Sequence, residues 1–268
     1  MKIALVDSGI GLLAAAAAVR RMRPDADLVL SCDPEGMPWG PRTAQDVSDR
    51  ALRCALAAAE RRPDALIVAC NTASVHALTA VRAALEPALP VVGTVPAIKP
   101  AAAGGGAVAI WATPATTGSA YQRALIAEFG GGAEVTEVPC PGLAAAVQAG
   151  DTAAVAAAIA AAAALTPVGV RAVVLGCTHY ELVTDRIAAA VPGAALFCSA
   201  DAVATQALRR IAAVTDSPDT PAFRAPSDAV STGHGGLEVL LNGRAAALPA
   251  VATDYAEGAA LAVTPATA

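Results

Sequence analysis

Aromatic residues are scarce in this 268-residue chain, where three Phe, three Tyr and two Trp make up 3%. The 56% hydrophobic content therefore rests largely on alanine, which favours helix but fills little core volume. Only two lysines occur, Lys2 and Lys99, and Lys2 opens a strand, so Schiff-base chemistry with pyridoxal phosphate would depend on Lys99 alone. No Lys/Arg-rich stripe appears, and a formal charge of −5 argues against a nucleic-acid partner. Six cysteines contain no C-x-x-C pair, and three scattered histidines give too few clustered ligands for a metal site. A P-loop and a G-x-S-x-G elbow are both missing, which removes the sequence basis for NTPase and serine-hydrolase readings. The longest charge-free apolar run, Ala153–Leu165, is too short to span a membrane. The first residues read as a strand rather than a secretory leader, so the expected location is the cytoplasm, where all six thiols stay reduced.

What is present is alternation. Strand-like runs (Ile3–Asp7, Asp27–Cys32, Ala65–Cys70, Val91–Val95) alternate with helical ones (Leu12–Arg23, Thr43–Arg62, Ser74–Leu85). The pattern restarts beyond Pro96–Pro100 and Gly104–Gly106, with strands at Val108–Ala112, Val135–Val138, Ala172–Gly176 and Ala195–Cys198. Helices are expected over Thr117–Phe129, Leu143–Leu165 and from about Leu182. Such alternation predicts βαβ units with parallel sheets, hence an α/β protein of two similar domains. The first would comprise residues 1–95 plus about 205–268, returning through a helix from Asp201 and a strand-like Ala229–Thr232; the second would comprise 96–204. The last residues, Val263–Ala268, read as a frayed tail.

Two stretches 107 residues apart share one context. Ala69-Cys70-Asn71-Thr72 and Gly176-Cys177-Thr178-His179 each follow a run of β-formers and precede residues that begin helices. Each cysteine is thus expected at a strand end and a helix start, where the helix dipole should lower a thiol's pKa. Inert burial remains the default for Cys32, Cys54 and Cys198. His179 lies close enough to Cys177 to accept or relay a proton, whereas His76 falls inside a helix and His234 in a turn. In parallel α/β sheets ligands bind beyond the carboxyl ends of strands, where Asp7-Ser8-Gly9, Asp33, Thr113 with Thr116 and Cys140 also fall. Gly9-Ile10-Gly11-Leu12-Leu13-Ala14 fits a dinucleotide loop, with Asp33 near the place of a ribose-binding acid. Asp7 at that strand end would repel a pyrophosphate and better suits a substrate ammonium, with Ser8 available to a carboxylate.

Together these motifs resemble the glutamate racemases of the wider aspartate/glutamate racemase superfamily. The match runs through Asp7–Gly11, Asp33 with Pro38-Trp39-Gly40, Ala69–Ser74, Val95–Pro100, Thr113 with Thr116, Cys140-Pro141 and Gly176–Tyr180, in the family's order. The resemblance implies two α/β domains with the active site between them, a homodimer, and cofactor-free racemisation of glutamate that supplies peptidoglycan. It also implies that Cys70 and Cys177 act on opposite faces of the substrate Cα, assisted by Asp7 and His179 respectively. Ser8, Pro38, Trp39, Gly40, Asn71, Thr72, Thr113, Thr116 and Thr178 would hold the substrate, with Asp33 and Gln148 in support. The family commonly has glycine at Leu12, tyrosine at Trp39, glutamate at Gln148 and proline at Glu181. These departures keep open aspartate or a hydantoin as substrate, or a weakly active binding role, and Leu12 and Trp39 are expected to reshape the pocket.

Overall fold

Short β-branched and leucine-rich runs form strands, and alanine-rich stretches form the helices between them. In the computed structural model, which describes residues 1–215 and 235–262, the order begins β1 (Lys2–Asp7), a 3₁₀ turn (Ile10–Leu12), α1 (Leu13–Met22), β2 (Asp27–Cys32), α2 (Ala44–Ala59) and β3 (Ala65–Val68). It continues with α3 (Asn71–His76), α4 (Leu78–Leu85), β4 (Val91–Gly93), α5 (Ile98–Ala103), β5 (Ala107–Ala112), α6 (Ala120–Phe129) and β6 (Glu134–Pro139). Then come α7 (Leu143–Ala149), α8 (Thr152–Leu165), β7 (Ala172–Leu175), a 3₁₀ segment (Thr178–Val183), α9 (Thr184–Ala190) and β8 (Ala195–Phe197). The last elements are α10 (Ala200–Thr215), β9 (Leu237–Leu241), β10 (Arg244–Ala246), a 3₁₀ turn (Ala250–Asp254) and α11 (Ala256–Ala262).

The strands form two sheets, ordered β10-β9-β2-β1-β3-β4 and β6-β5-β7-β8. All neighbours are parallel except β9 and β10, which form an antiparallel hairpin. The predicted α/β class with two parallel-sheet halves is therefore what the chain adopts. In each sheet the chain moves from a central strand to one side and then crosses to the other, from β1 through β2 to β3 and from β5 through β6 to β7. These crossings are topological switch points, and Cys70 and Cys177 follow the two equivalent strands β3 and β7.

Alanine explains the packing around α1. From Leu13 to Val19 every residue of α1 is buried, because α1 is covered by α10 and α11 and also meets the 3₁₀ segment Thr178–Val183. Methyl side chains on all faces permit that close approach. One continuous apolar cluster joins Leu5 and Leu13 of the first half to Trp111, Leu175 and Tyr180 of the second.

Several element boundaries differ from the sequence reading. The single helix expected over Leu143–Leu165 is divided because Gly150 takes a left-handed conformation (φ 68°) and Asp151 caps α8 through the amides of Ala153 and Ala154. The helix expected from Ser74 is preceded by its own first turn, α3, and breaks at Ala77. Residues 229–232, like the turn holding His234 and the tail 263–268, lie outside the described residues. The strand that returns to the first sheet is β9, paired from Leu28–Leu237 to Cys32–Leu241. Its hairpin closes at Asn242-Gly243, both with positive φ, as a type I′ turn requires.

Candidate active site

The carboxyl ends of β1 and β3 in one sheet, and of β5 and β7 in the other, open onto one cavity of about 250 Å³. Asp7, Ser8, Pro38, Trp39, Gly40, Cys70, Asn71 and Thr72 line it from the first half. Thr113, Thr116, Cys177, Thr178 and His179 line it from the second. The sequence reading placed Asp33 and Gln148 in support, and neither lines the cavity. Cys140, expected at a ligand-binding strand end, also lines it, and the walls that the sequence did not single out include Met37, Pro114, Gly142, Ala144 and Ala145. Among the described residues no three His, Cys, Asp or Glu side chains gather to hold a metal ion.

Cys70 is the N-cap residue of α3, and Cys177 occupies the same place before a 3₁₀ segment. The expected lowering of their pKa values is not what the site produces. Burial pushes the Cys70 thiol well above its ordinary value, with the Asp7 carboxyl adding to the effect. Burial likewise pushes Cys177 up to about 12, while the amides of His179 and Tyr180 pull the other way. Helix-start amides do meet both thiols, as with that of Ala73 at Cys70, but loss of water outweighs the dipoles of two such short segments. With both pKa values raised, each thiol needs a base beside it to become a thiolate.

Each has a candidate. Asp7 is fully buried; its Oδ1 accepts from the Ser8 amide at 2.6 Å and the Ser8 hydroxyl at 3.3 Å, and its Oδ2 accepts from the Thr178 hydroxyl at 3.3 Å. Burial raises its pKa to about 7 despite hydrogen bonds to Ser8, Cys70 and Thr178. Asp7 has no exposed surface and shares a hydrogen bond with the Cys70 thiol. His179, also buried, has its pKa lowered to about 4 by desolvation and is neutral at physiological pH. Its Nε2 lies 3.1 Å from Gln148 Oε1, which also accepts from the Ile10 amide at 2.9 Å.

Asn71 is 4% exposed, and neither its amide nitrogen nor its amide oxygen has a hydrogen-bond partner among the described residues. A buried unpaired amide costs on the order of 1–3 kcal/mol, so this one is poised for a polar ligand. Thr113 and Thr116 hydroxyls lie 3.1 Å apart on a tight turn after β5. Asp33 holds the loop that carries Trp39. Its Oδ2 accepts from the Trp39 indole at 2.9 Å and from Arg50 Nη1 at 3.1 Å, and its Oδ1 from the Gly36 amide. Arg50 is not singled out by the sequence, where it is one of several arginines on an ordinary amphipathic helix.

The glycine loop has a different purpose from the one its dinucleotide-like spacing suggests. A Cβ on Gly9 would fall 2.0 Å from Gln148 Oε1, and one on Gly11 would fall 2.5 Å from each of Asp7 Oδ2, His179 Nδ1 and Thr178 Oγ1. The two glycines make room for Asp7 and for Gln148, Thr178 and His179 of the second half, not for a pyrophosphate. Leu12 lies in the apolar core rather than in the cavity, so it does not reshape the pocket as expected. Glu181 also stays out of the cavity. Its carboxylate accepts from the Ser199 amide and hydroxyl and from the Ala200 amide, capping α10 across the chain.

Two parallel-sheet halves with a paired thiol at each switch point define a class, and comparison with known proteins agrees. The family model described as Asp/Glu/Hydantoin racemase matches residues 12–207, and the chain belongs to this family. Among its relatives, a glutamate racemase of Sphingopyxis alaskensis is 38% identical over 241 residues, covering 86% of this chain and 88% of that one. The structure of Escherichia coli glutamate racemase with L-glutamate and the activator UDP-MurNAc-Ala superimposes with a TM-score of 0.73 at 29% identity, over 79% of this chain and 82% of that one. Glutamate racemase from Thermus thermophilus in complex with β-chloro-D-alanine gives 0.69 at 26% identity, over 90% and 87%.

Proposed function

We propose that this protein is a cofactor-independent glutamate racemase that interconverts L- and D-glutamate by a two-base mechanism and supplies D-glutamate for peptidoglycan. The observation that carries the reading is the pair of thiols, delivered from equivalent strand ends to one cavity, with Asp7 hydrogen-bonded to Cys70 and the buried His179 lining the same cavity. Curated relatives with 38% and 33% identity support glutamate as the substrate.

In one direction Asp7 takes the Cys70 proton, and the Cys70 thiolate removes the substrate α-proton. The Cys177 thiol then donates to the opposite face of Cα. In the other direction His179 serves as base for Cys177, and Cys70 is the donor. The α-proton beside a carboxylate is a very weak acid, so the intermediate needs placed hydrogen-bond donors in a cavity with little water. The amide of Asn71 and the hydroxyls of Ser8, Thr72, Thr113, Thr116 and Thr178 supply these, with Trp39 and Gly40 shaping the wall and Asp33 holding them. Among the described residues no Lys or Arg lines the cavity, and the donors that do line it are neutral.

The proposal includes two domains, 1–95 plus about 205–268 and 96–204, supported by the packing of α10 and α11 on α1 and of β9 on β2. It also includes a cytoplasmic homodimer; no helix among the described residues is long and apolar enough to cross a membrane. The test is a chiral assay of purified protein with L-glutamate, D-glutamate, both aspartates and a hydantoin, without added pyridoxal phosphate, metal or nucleotide. Conversion of both glutamate enantiomers supports the proposal. Conversion confined to aspartate or hydantoin, or dependence on an added cofactor, contradicts it.

A further inference from the structure

The contacts of Gln148 fix the proton positions around it. Its Oε1 receives the Ile10 amide at 2.9 Å, and a backbone N–H can only donate, so the atom at that place is the amide oxygen. The same oxygen lies 3.1 Å from His179 Nε2. An amide oxygen accepts and never donates, so Nε2 must carry the hydrogen. In a neutral imidazole that leaves Nδ1 bare. Nδ1 shares with Asp7 Oδ2 and Thr178 Oγ1 the small gap kept open at Gly11, each atom 2.5 Å from where a Cβ would stand. Gly9 in turn is what lets Gln148 reach the loop, because a Cβ there would sit 2.0 Å from Oε1.

We propose that Gln148 is a positioning residue that locks His179 as the Nε2–H tautomer, with its only proton-accepting nitrogen turned toward the Thr178 and Asp7 side of the cavity. This deepens the racemase reading, on which its catalytic meaning rests. Gln148 stands on α7 in the second half and bonds to the first 3₁₀ turn of the first half, so the lock closes only when the two halves are docked. An amide sets the tautomer without bringing a charge, so the imidazole stays neutral and ready to accept. A carboxylate at this place would hold the same nitrogen protonated and would also draw a second proton onto the ring.

The test is ¹⁵N NMR of protein labelled at histidine, recorded without substrate at pH 8, with the His179 signals identified by their loss in His179→Asn. The expected result is a protonated Nε2 and a bare Nδ1 in the unaltered protein. Gln148→Glu keeps the proton on Nε2. Gln148→Leu shifts a measurable fraction to the Nδ1–H tautomer and slows racemisation on the order of tenfold to a hundredfold, as loss of an orienting partner does elsewhere. A protonated Nδ1 in the unaltered protein, or an unshifted tautomer in Gln148→Leu, overturns the proposal. Should the leucine variant not fold, the spectrum of the unaltered protein decides alone. Because the tautomer is read without turnover, failure here is distinguishable from failure of the racemase reading.

Discussion

The Cys70 side and the Cys177 side have the same frame and different chemistry. Each thiol follows a four-residue strand one place from the centre of its sheet, caps a short helical segment, and is pushed upward in pKa by burial. The partners come from different places. Asp7 reaches Cys70 from the neighbouring strand β1, whereas His179 lies two residues beyond Cys177 in the same chain segment. One base is a carboxyl raised to about 7, the other an imidazole lowered to about 4. Burial favours the neutral form of both groups, leaving a carboxyl that is about half ionised near pH 7 and an imidazole that is neutral there. Repetition of a scaffold did not require repetition of its side chains.

The comparison is broken most completely by removing either thiol. Cys70→Ala and Cys177→Ala should each reduce racemisation on the order of 10²–10⁴-fold or more, measured by chiral chromatography. Near-normal turnover in either variant would mean that one thiol suffices.

Changing the bases should separate the two sides. Asp7→Asn should slow the direction in which Cys70 removes the proton far more than the reverse, and should abolish an inflection near pH 7 in kcat/KM. The same change should stabilise the fold. A carboxyl whose native pKa is raised leaves the unfolded chain with fewer bound protons between about pH 4 and 7, so stability is full below the unfolded value and falls as pH rises to 7. Above that, Asp7→Asn should recover a few kcal/mol, since each tenfold change in proton affinity is worth about 1.4 kcal/mol, and the gain should appear as a higher Tm at pH 8 than that of the unaltered protein. His179 has the opposite linkage. Its lowered pKa means stability is lost as pH falls from about 6.5 toward 4.

Asn71→Ala sharpens the comparison at the substrate. It removes a buried unpaired amide, so it should raise KM severalfold while leaving the empty protein as stable or up to ~2 kcal/mol more stable by thermal denaturation. A stability loss would show that Asn71 is a structural residue instead. The smallest effect on activity is expected of Glu181→Gln. Weakening the α10 cap should cost ~1 kcal/mol of stability with kcat and KM unchanged on either side.

The alternation of strand and helix, and the two cysteines at equivalent strand ends, were legible because periodicity and local context are carried by neighbouring residues. Every cavity-lining residue expected from the motifs lies at a strand end or in the segment that follows one. Less legible was whatever depends on distant segments meeting. The pKa direction of the thiols reversed because burial is a property of the assembled site, not of a helix start. Gly9 and Gly11 spell a nucleotide loop in isolation, and only the arrival of Gln148, Thr178 and His179 from the other half reveals what they accommodate. Glu181 looked like a departure at the site and is a helix cap, since its partners Ser199 and Ala200 lie beyond an intervening helix and strand. The Asn242-Gly243 turn was a local signal, and the strand β9 before it was not read from the sequence.

The central claim is that two separate bases serve the two faces of one carbon, and isotope distribution in heavy water tests it most directly. At early times, starting from each glutamate enantiomer in turn, mass analysis of the chirally separated enantiomers should show deuterium at Cα of the product while the remaining substrate keeps its proton. Deuterium appearing equally in product and unreacted substrate, in both directions, would mean one base serving both faces and would contradict the account.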